Sequence, residues 1–413
     1  MTLARRPGPP PAPPAAPALF AKCAADTRAR AAQAAGLYPY FAPIEASTAS
    51  EARIGGRWKI MLGSNNYLGL THHPAVLAAC AAALARYGSG STGSRLLNGT
   101  LDLHERLEAR LAALFRKEAA LVFTTGYQAS LGVVATLVGR DDHVFLDKLD
   151  HACIVDGARL APGTVARWTH GDLAQLDRRL GAAPPDAGKL VVTDGVFSME
   201  GTIADLPALT TLCRRHGAAL LVDDAHALGV LGDGGAGTAR HFGLDDRVEL
   251  VMATFSKSLA SVGGVVAGPA DVLHYVRHHA RALIFTASMP PASVAGTLAA
   301  LDVMAAEPER RARLWANTRR MAAGLRAIGL DPGAAETPIL PVTVGPLDPT
   351  LRVWRALFDD DVFVHPVLPP EIPANECRIR LSMTAEHTDA QIDRVVDAFA
   401  GAVRRHAPTA LAG

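Results

Sequence analysis

The stretch "ATFSKSLASVGG", Ala253 to Gly264, sets a single amine, Lys257, among serines and small apolar residues. A surface lysine normally keeps charged company. Small apolar neighbours withhold water, which lowers the pKa of an ammonium, and they leave room for a flat ring. An amine freed in this way can condense with an aldehyde. Thr254 and Ser256 offer hydroxyls to an anionic group beside it. Taken alone, Lys257 reads equally well as a loop lysine reaching solvent.

Its company decides. "LVDDAHALG", Leu221 to Gly229, places Asp223 and His226 just past an apolar run. Asp224 reads as a candidate helix N-cap. Asp223 does not, and a buried carboxylate without a cation is costly. A protonated pyridine nitrogen is a suitable cation, and His226 could hydrogen-bond an oxygen of the same ring. A Schiff-base lysine, an aspartate for a pyridinium and hydroxyls for a phosphate together describe a pyridoxal phosphate site. "TTGYQAS", Thr124 to Ser130, reads as a strand-to-helix turn whose free N–H groups suit the phosphate. His151, in "LDHACIVDG", ends another strand; alone it is a surface histidine, but here it is placed to stack on the ring.

Other motifs point elsewhere and are set aside. "YGSGSTGSRLLNGT" contains G-x-G-x-x-G at Gly88, Gly90 and Gly93, but it follows a helical pattern rather than a strand, so the dinucleotide reading fails. A flexible loop lining a substrate site suits it better. His72–His73 and His278–His279 are adjacent rather than at ligand spacing, and are expected on the surface, with no metal site.

The elements that must position these residues are legible as apolar runs. From about residue 119 to 268, "AALVFTT", "HVFLD", "VARWTH", "KLVVTDG", "AALLVDDA", "LVMATF" and "GGVVAG" alternate with helical patterns such as "LPALTTLCRRHG". This alternation implies an α/β fold with a mostly parallel sheet covered on both faces. Ligands of such sheets bind beyond the carboxyl ends of the strands. The polar clusters Asp147–His151, Asp194–Ser198, Asp223–His226 and Thr254–Lys257 all follow those ends. After about residue 290 come a long helical segment, roughly 291–328, then "TPILPVTVG", "LRVWRALFDDDVFVHPVLPP", "CRIRLSMTA" and a last amphipathic helix. The expected organisation is a disordered proline-rich tail over 1–17, an N-terminal segment 18–60 packing with a smaller α+β domain 301–413, and a large domain 61–300.

Of 413 residues, 49% are hydrophobic and 20% charged, with a net charge of +1, so nothing points to nucleic acid or an anionic membrane. Five scattered cysteines, Cys23, Cys80, Cys153, Cys213 and Cys377, form no C-x-x-C pair; they are expected as small buried residues in a reducing cytoplasm. No run of about 18 apolar residues occurs.

In this order the motifs resemble the α-oxoamine synthase family of fold-type I pyridoxal phosphate enzymes. "MLGSNNYLGL", "GSRLLNGTLDLHERLE", "FTTGYQAS", "LDHACIVDGARL", "TDGVFSMEG", "VDDAHALGVLG", "TFSKSLASVGG" and "RALIFTASMPP" carry the likeness. Within the family, "GLYPYFAPIE", "NGTLDLHE" and "TFSKSLAS" are most similar to bacterial serine palmitoyltransferases and related synthases. The resemblance implies a decarboxylative condensation of a small amino acid with an acyl thioester, carried by coenzyme A or an acyl-carrier protein. It implies that Lys257 bears the cofactor and moves the substrate Cα proton, that Asp223 pairs with the ring nitrogen and His226 with the ring oxygen, and that His151 stacks on the ring. Gly126, Tyr127, Ser198 and Thr254 would surround the cofactor. Thr286 and Ser288 would reach the phosphate of the other subunit of a homodimer, and Asn65 and Arg380 would hold the amino acid's carboxylate. One departure concerns "VLPPEIP": Leu368 stands where some bacterial serine palmitoyltransferases carry an arginine, which leaves alanine and glycine open beside serine.

Overall fold

The computed structural model describes residues 17–411. The expected tail over 1–17 therefore lies, except for Pro17, outside the described residues. The chain divides at Ala42 and Pro43 into a short unit and a large one. The short unit carries the helices Ala21–Ala25 and Arg28–Ala34.

The large unit opens with strands β1 (Ala46–Ser47), β2 (Glu51–Ile54) and β3 (Arg57–Met61). The seven apolar runs follow as β4 (Ala119–Phe123), β5 (His143–Asp147), β6 (Thr164–Trp168), β7 (Lys189–Asp194), β8 (Ala219–Asp223), β9 (Leu250–Thr254) and β10 (Gly264–Gly268). They form one sheet in the order β4-β10-β9-β8-β7-β5-β6. Only β10 runs against its neighbours. Helices cover both faces, so side chains alternate between two cores: Leu220 and Val222 join one cluster and Leu221 the other. Burial on both sides is why these strands read as continuous apolar runs rather than alternating ones.

The C-terminal part adds β11 (Ile339–Gly345), β12 (Val362–Phe363), β13 (His365–Val367) and β14 (Cys377–Ser382). A three-stranded antiparallel sheet has the order β11-β14-β13, while β12 pairs in parallel with β3. The helical segment expected over 291–328 is two helices, Pro291–Ala306 and Glu309–Ala327. Pro308 causes the break: it has no N–H, and it biases Glu307 away from helical angles. Among the described residues no helix is long and apolar enough to cross a membrane. Of the cysteines, Cys153, Cys213 and Cys377 are buried and Cys80 partly so, but Cys23 is exposed, contrary to expectation.

Candidate active site

Lys257 stands on the connection between antiparallel neighbours β9 and β10. That connection is compact: the Phe255 N–H bonds the Gly263 carbonyl at 2.9 Å, and the Ser261 N–H bonds the Phe255 carbonyl at 2.9 Å. Small residues are required here. A Cβ on Gly263 would lie 2.5 Å from the Phe255 ring and 2.6 Å from Met289 Sδ. The tight loop turns Lys257 into a cavity of ≈ 350 Å³ at the carboxyl ends of the strands, which Gly126, Tyr127, His151, Ser198, Asp223, His226 and Thr254 also line. Burial lowers the Lys257 ammonium to about 8, against the pull of Asp223 and Asp194.

Asp223 ends β8, 3% exposed, and accepts the Ala225 N–H at 2.9 Å. Burial raises its carboxyl, and Lys257 works in the opposite sense. Asp224 does not cap a helix after β8. Its side chain reaches away from the cavity to accept the Thr238 N–H at 2.9 Å, and the Thr238 hydroxyl also bonds it. The chain goes into a turn after Asp223, so no helix end is there to cap.

His151 caps the helix Ala152–Leu160: its Nδ1 accepts the Cys153 N–H at 3.2 Å. The Cys153 thiol, itself a cavity wall, lies 2.9 Å from the same nitrogen. Desolvation lowers His151 below its ordinary value. Its ring meets that of Tyr127 edge-on, with centroids 6.4 Å apart. The Tyr127 hydroxyl bonds Asp156.

Gly126 begins the twelve-residue helix Gly126–Leu137, capped by Thr125, whose hydroxyl accepts the Gln128 N–H at 3.1 Å. A Cβ on Gly126 would lie 2.6 Å from Thr254 Oγ1, so only glycine allows this approach. Thr254 and Ser256 join hydroxyls at 2.9 Å beside it.

Arg380 and Asn65 do not line the cavity; Arg380 bonds Ser198 in its wall, and Asn65 bonds Arg380 behind it. Arg380 Nε donates to the Ser198 carbonyl at 2.6 Å, Nη1 to Ser382 Oγ at 2.8 Å, and Nη2 to Asn65 Oδ1 at 3.1 Å. The contacts continue through a residue of "MLGSNNYLGL" that was given no role: Tyr67 OH lies 3.4 Å from Asn65 Oδ1 and 2.7 Å from His226 Nδ1. Asp194, also without an assigned role, does line the cavity; its carboxylate accepts the His151 N–H at 3.1 Å. Thr286 and Ser288 stay outside the cavity. Thr286 Oγ1 accepts from Gln128 Nε2 at 3.2 Å, and Ser288 Oγ lies 2.6 Å from Ser91 Oγ in the glycine-rich loop.

Among the other histidines, His73 is partly buried and paired with Glu307 at 3.2 Å, against the surface position expected for it. No cluster of metal-ligating side chains occurs among the described residues.

The residues present fit pyridoxal phosphate. A buried carboxyl needing a cation, an amine with a lowered pKa, and a helix N-terminus open beside two hydroxyls face one space.

Residues 57–399 match the class I and II aminotransferase family. A serine palmitoyltransferase of Sphingobacterium spiritivorum is 50% identical over 362 residues, 88% of this chain and 91% of that one. An 8-amino-7-oxononanoate synthase of Geotalea daltonii is 41% identical over 376 residues, 90% of this chain and 96% of that one. The Sphingomonas wittichii serine palmitoyltransferase superposes with a TM-score of 0.91 at 38% identity, covering 94% of this chain and 98% of that chain. A further structure, of SPT with its PLP internal aldimine, gives 0.90 at 38% identity with the same coverage. With the site geometry, these likenesses show that the chain belongs to the class I and II aminotransferase family, in its α-oxoamine synthase branch, as a fold-type I enzyme whose cofactor is pyridoxal phosphate.

Proposed function

We propose that this enzyme condenses a small α-amino acid, serine, alanine or glycine, with an acyl thioester. Carbon dioxide and the thiol leave, and an α-amino ketone remains. The observation that supports the reading is that Lys257, Asp223, His226 and His151 line one cavity whose Ser198 wall is bonded by Arg380, bringing groups suited to a pyridinium ring next to a guanidinium suited to a carboxylate. Bound in the cavity, pyridoxal phosphate supplies an aldehyde and a ring that takes up the electron pair released at the amino acid's Cα.

Lys257 holds the cofactor and carries the Cα proton. With a pKa of about 8 it is partly neutral near neutral pH, as a base must be. Asp223 would keep the ring nitrogen protonated and His226 would donate to the ring oxygen. Gly126, Tyr127, Ser198 and Thr254 would surround the cofactor. Arg380 and Asn65 would hold the substrate carboxylate and so orient the amino acid against the bound cofactor. His151 would stack on the ring. Because its Nδ1 accepts the Cys153 N–H, its proton sits on Nε2, free to donate to the thioester oxygen as charge grows there.

A homodimer completes the site, with Thr286 and Ser288 reaching the partner's phosphate. Supporting this, Leu97 and Phe285 on the neighbouring segments are 79% and 71% exposed. The thiol carrier is coenzyme A or an acyl-carrier protein. The serine palmitoyltransferase relatives favour serine. Leu368, buried with Val367, Ile372 and Cys377, puts an apolar side chain where an arginine would speak for it, and so keeps alanine and glycine in the comparison.

The test is a matrix of the three amino acids against several acyl thioesters, reading thiol release and the mass of the ketone. Conversion of the amino acid to a keto acid without thiol release would replace this reading with transamination.

A further inference from the structure

We propose that Tyr67 sets the tautomer of His226, holding its proton on Nε2 so that the imidazole can only donate into the cavity. The proposal rests on the function proposed above and deepens it.

Tyr67 is 0% exposed, and its single O–H proton has two neighbours: His226 Nδ1 at 2.7 Å and Asn65 Oδ1 at 3.4 Å. The asparagine oxygen is already engaged. It accepts Arg380 Nη2 at 3.1 Å and Ser382 Oγ at 3.1 Å, which fills its two lone-pair directions. The phenol proton therefore goes to the nearer, vacant nitrogen. Burial pushes His226 well below its ordinary value, helped by the charges of Lys257 and Arg380, so the ring is neutral. A neutral imidazole that accepts at Nδ1 carries its hydrogen on Nε2. The phenol does not ionise in competition, since burial holds it at about 12.

The alternative tautomer would turn a bare lone pair toward an anionic ring oxygen and repel it. Without the Tyr67 hydroxyl nothing else among the described residues bonds His226 Nδ1. Tyr67 touches neither ligand and acts through His226, as a positioning residue.

Two measurements test this. In cofactor-free wild-type protein with isotope-labelled histidine, nitrogen NMR should find His226, assigned through His226→Gln, unprotonated at Nδ1 and protonated at Nε2. A proton on Nδ1 overturns the proposal, and this outcome needs neither a variant of Tyr67 nor cofactor. In Tyr67→Phe holoenzyme, the pH at which the cofactor's visible band changes should rise by roughly one unit, because a weakened donor no longer favours the more anionic form. A titration identical to wild type overturns the proposal. If wild-type protein takes up no cofactor, the functional reading falls, while the histidine measurement still decides the tautomer.

Discussion

Asp194 and Asp223 are register partners at the carboxyl ends of the adjacent parallel strands β7 and β8, so two carboxyl groups share one buried wall. Burial raises both, and the charge on Asp223 raises Asp194 further. Asp194→Asn keeps an acceptor for the His151 N–H and removes the competing charge. Cofactor affinity should hold or tighten in that variant, whereas Asp223→Asn should weaken it roughly tenfold or more, as expected for a lost charged hydrogen bond. Titrating the cofactor-free proteins with pyridoxal phosphate separates the two carboxyls; equal behaviour would show them interchangeable.

Lys257 predicts a pH dependence of stability. Its folded value of about 8 lies below the ordinary 10.5, so the folded chain gives up that proton more readily than the unfolded one. The favourable contribution is complete above 10.5 and is lost as pH falls through about 8. In cofactor-free protein, the melting temperature of Lys257→Ala relative to wild type should therefore be most favourable near neutral pH and decline as pH rises toward 10.5. The same variant should lose turnover by about 10²–10⁴-fold. A pH-independent difference in melting temperature would refute the buried-amine account.

Gly126→Ala places a methyl 2.6 Å from Thr254 Oγ1. Overpacking of this kind costs about 1–3 kcal/mol. Denaturant unfolding should show that loss, and Gly126→Ala combined with Thr254→Ala should recover much of it. Cofactor affinity should stay weakened in the double variant, because the Thr254 hydroxyl is gone.

Arg380→Lys keeps the charge and loses the planar fork. The Ser198, Ser382 and Asn65 contacts cannot all be remade by one ammonium. kcat/KM for the amino acid should fall roughly 10–100-fold, matching one or two charged hydrogen bonds. The fall should come mainly through KM, with KM for the acyl thioester nearly unchanged. Steady-state kinetics in each substrate checks it, and an equal effect on both substrates would argue against a carboxylate anchor.

What was legible in the sequence follows from how locally each feature is determined. The seven strands of the large sheet announce themselves because burial on both faces demands unbroken apolar runs, and the polar residues after them mark the edge where the cavity lies. Lys257, Asp223 and His226 each sit within three residues of a strand end, so chain position alone brings them together. Tyr67 gave no such signal. It lies in "MLGSNNYLGL", a block that carries the family likeness, but its partner His226 is 159 residues away and nothing local marks their contact. Asp224 was misread for the same reason, since its partner Thr238 lies beyond an intervening turn and loop. The division of the helical segment at Pro308 was visible in composition but hidden by apolar spacing that continues on both sides.

The bond from Arg380 to the Ser198 main chain carries a lesson for redesign. A guanidinium pinned by the backbone of the opposite wall is a fixed post rather than an adjustable arm. Attempts to broaden the range of amino acids accepted should leave that post standing and recut the surfaces facing it, where side chains can be exchanged without loosening the joint between the two halves of the catalytic chamber.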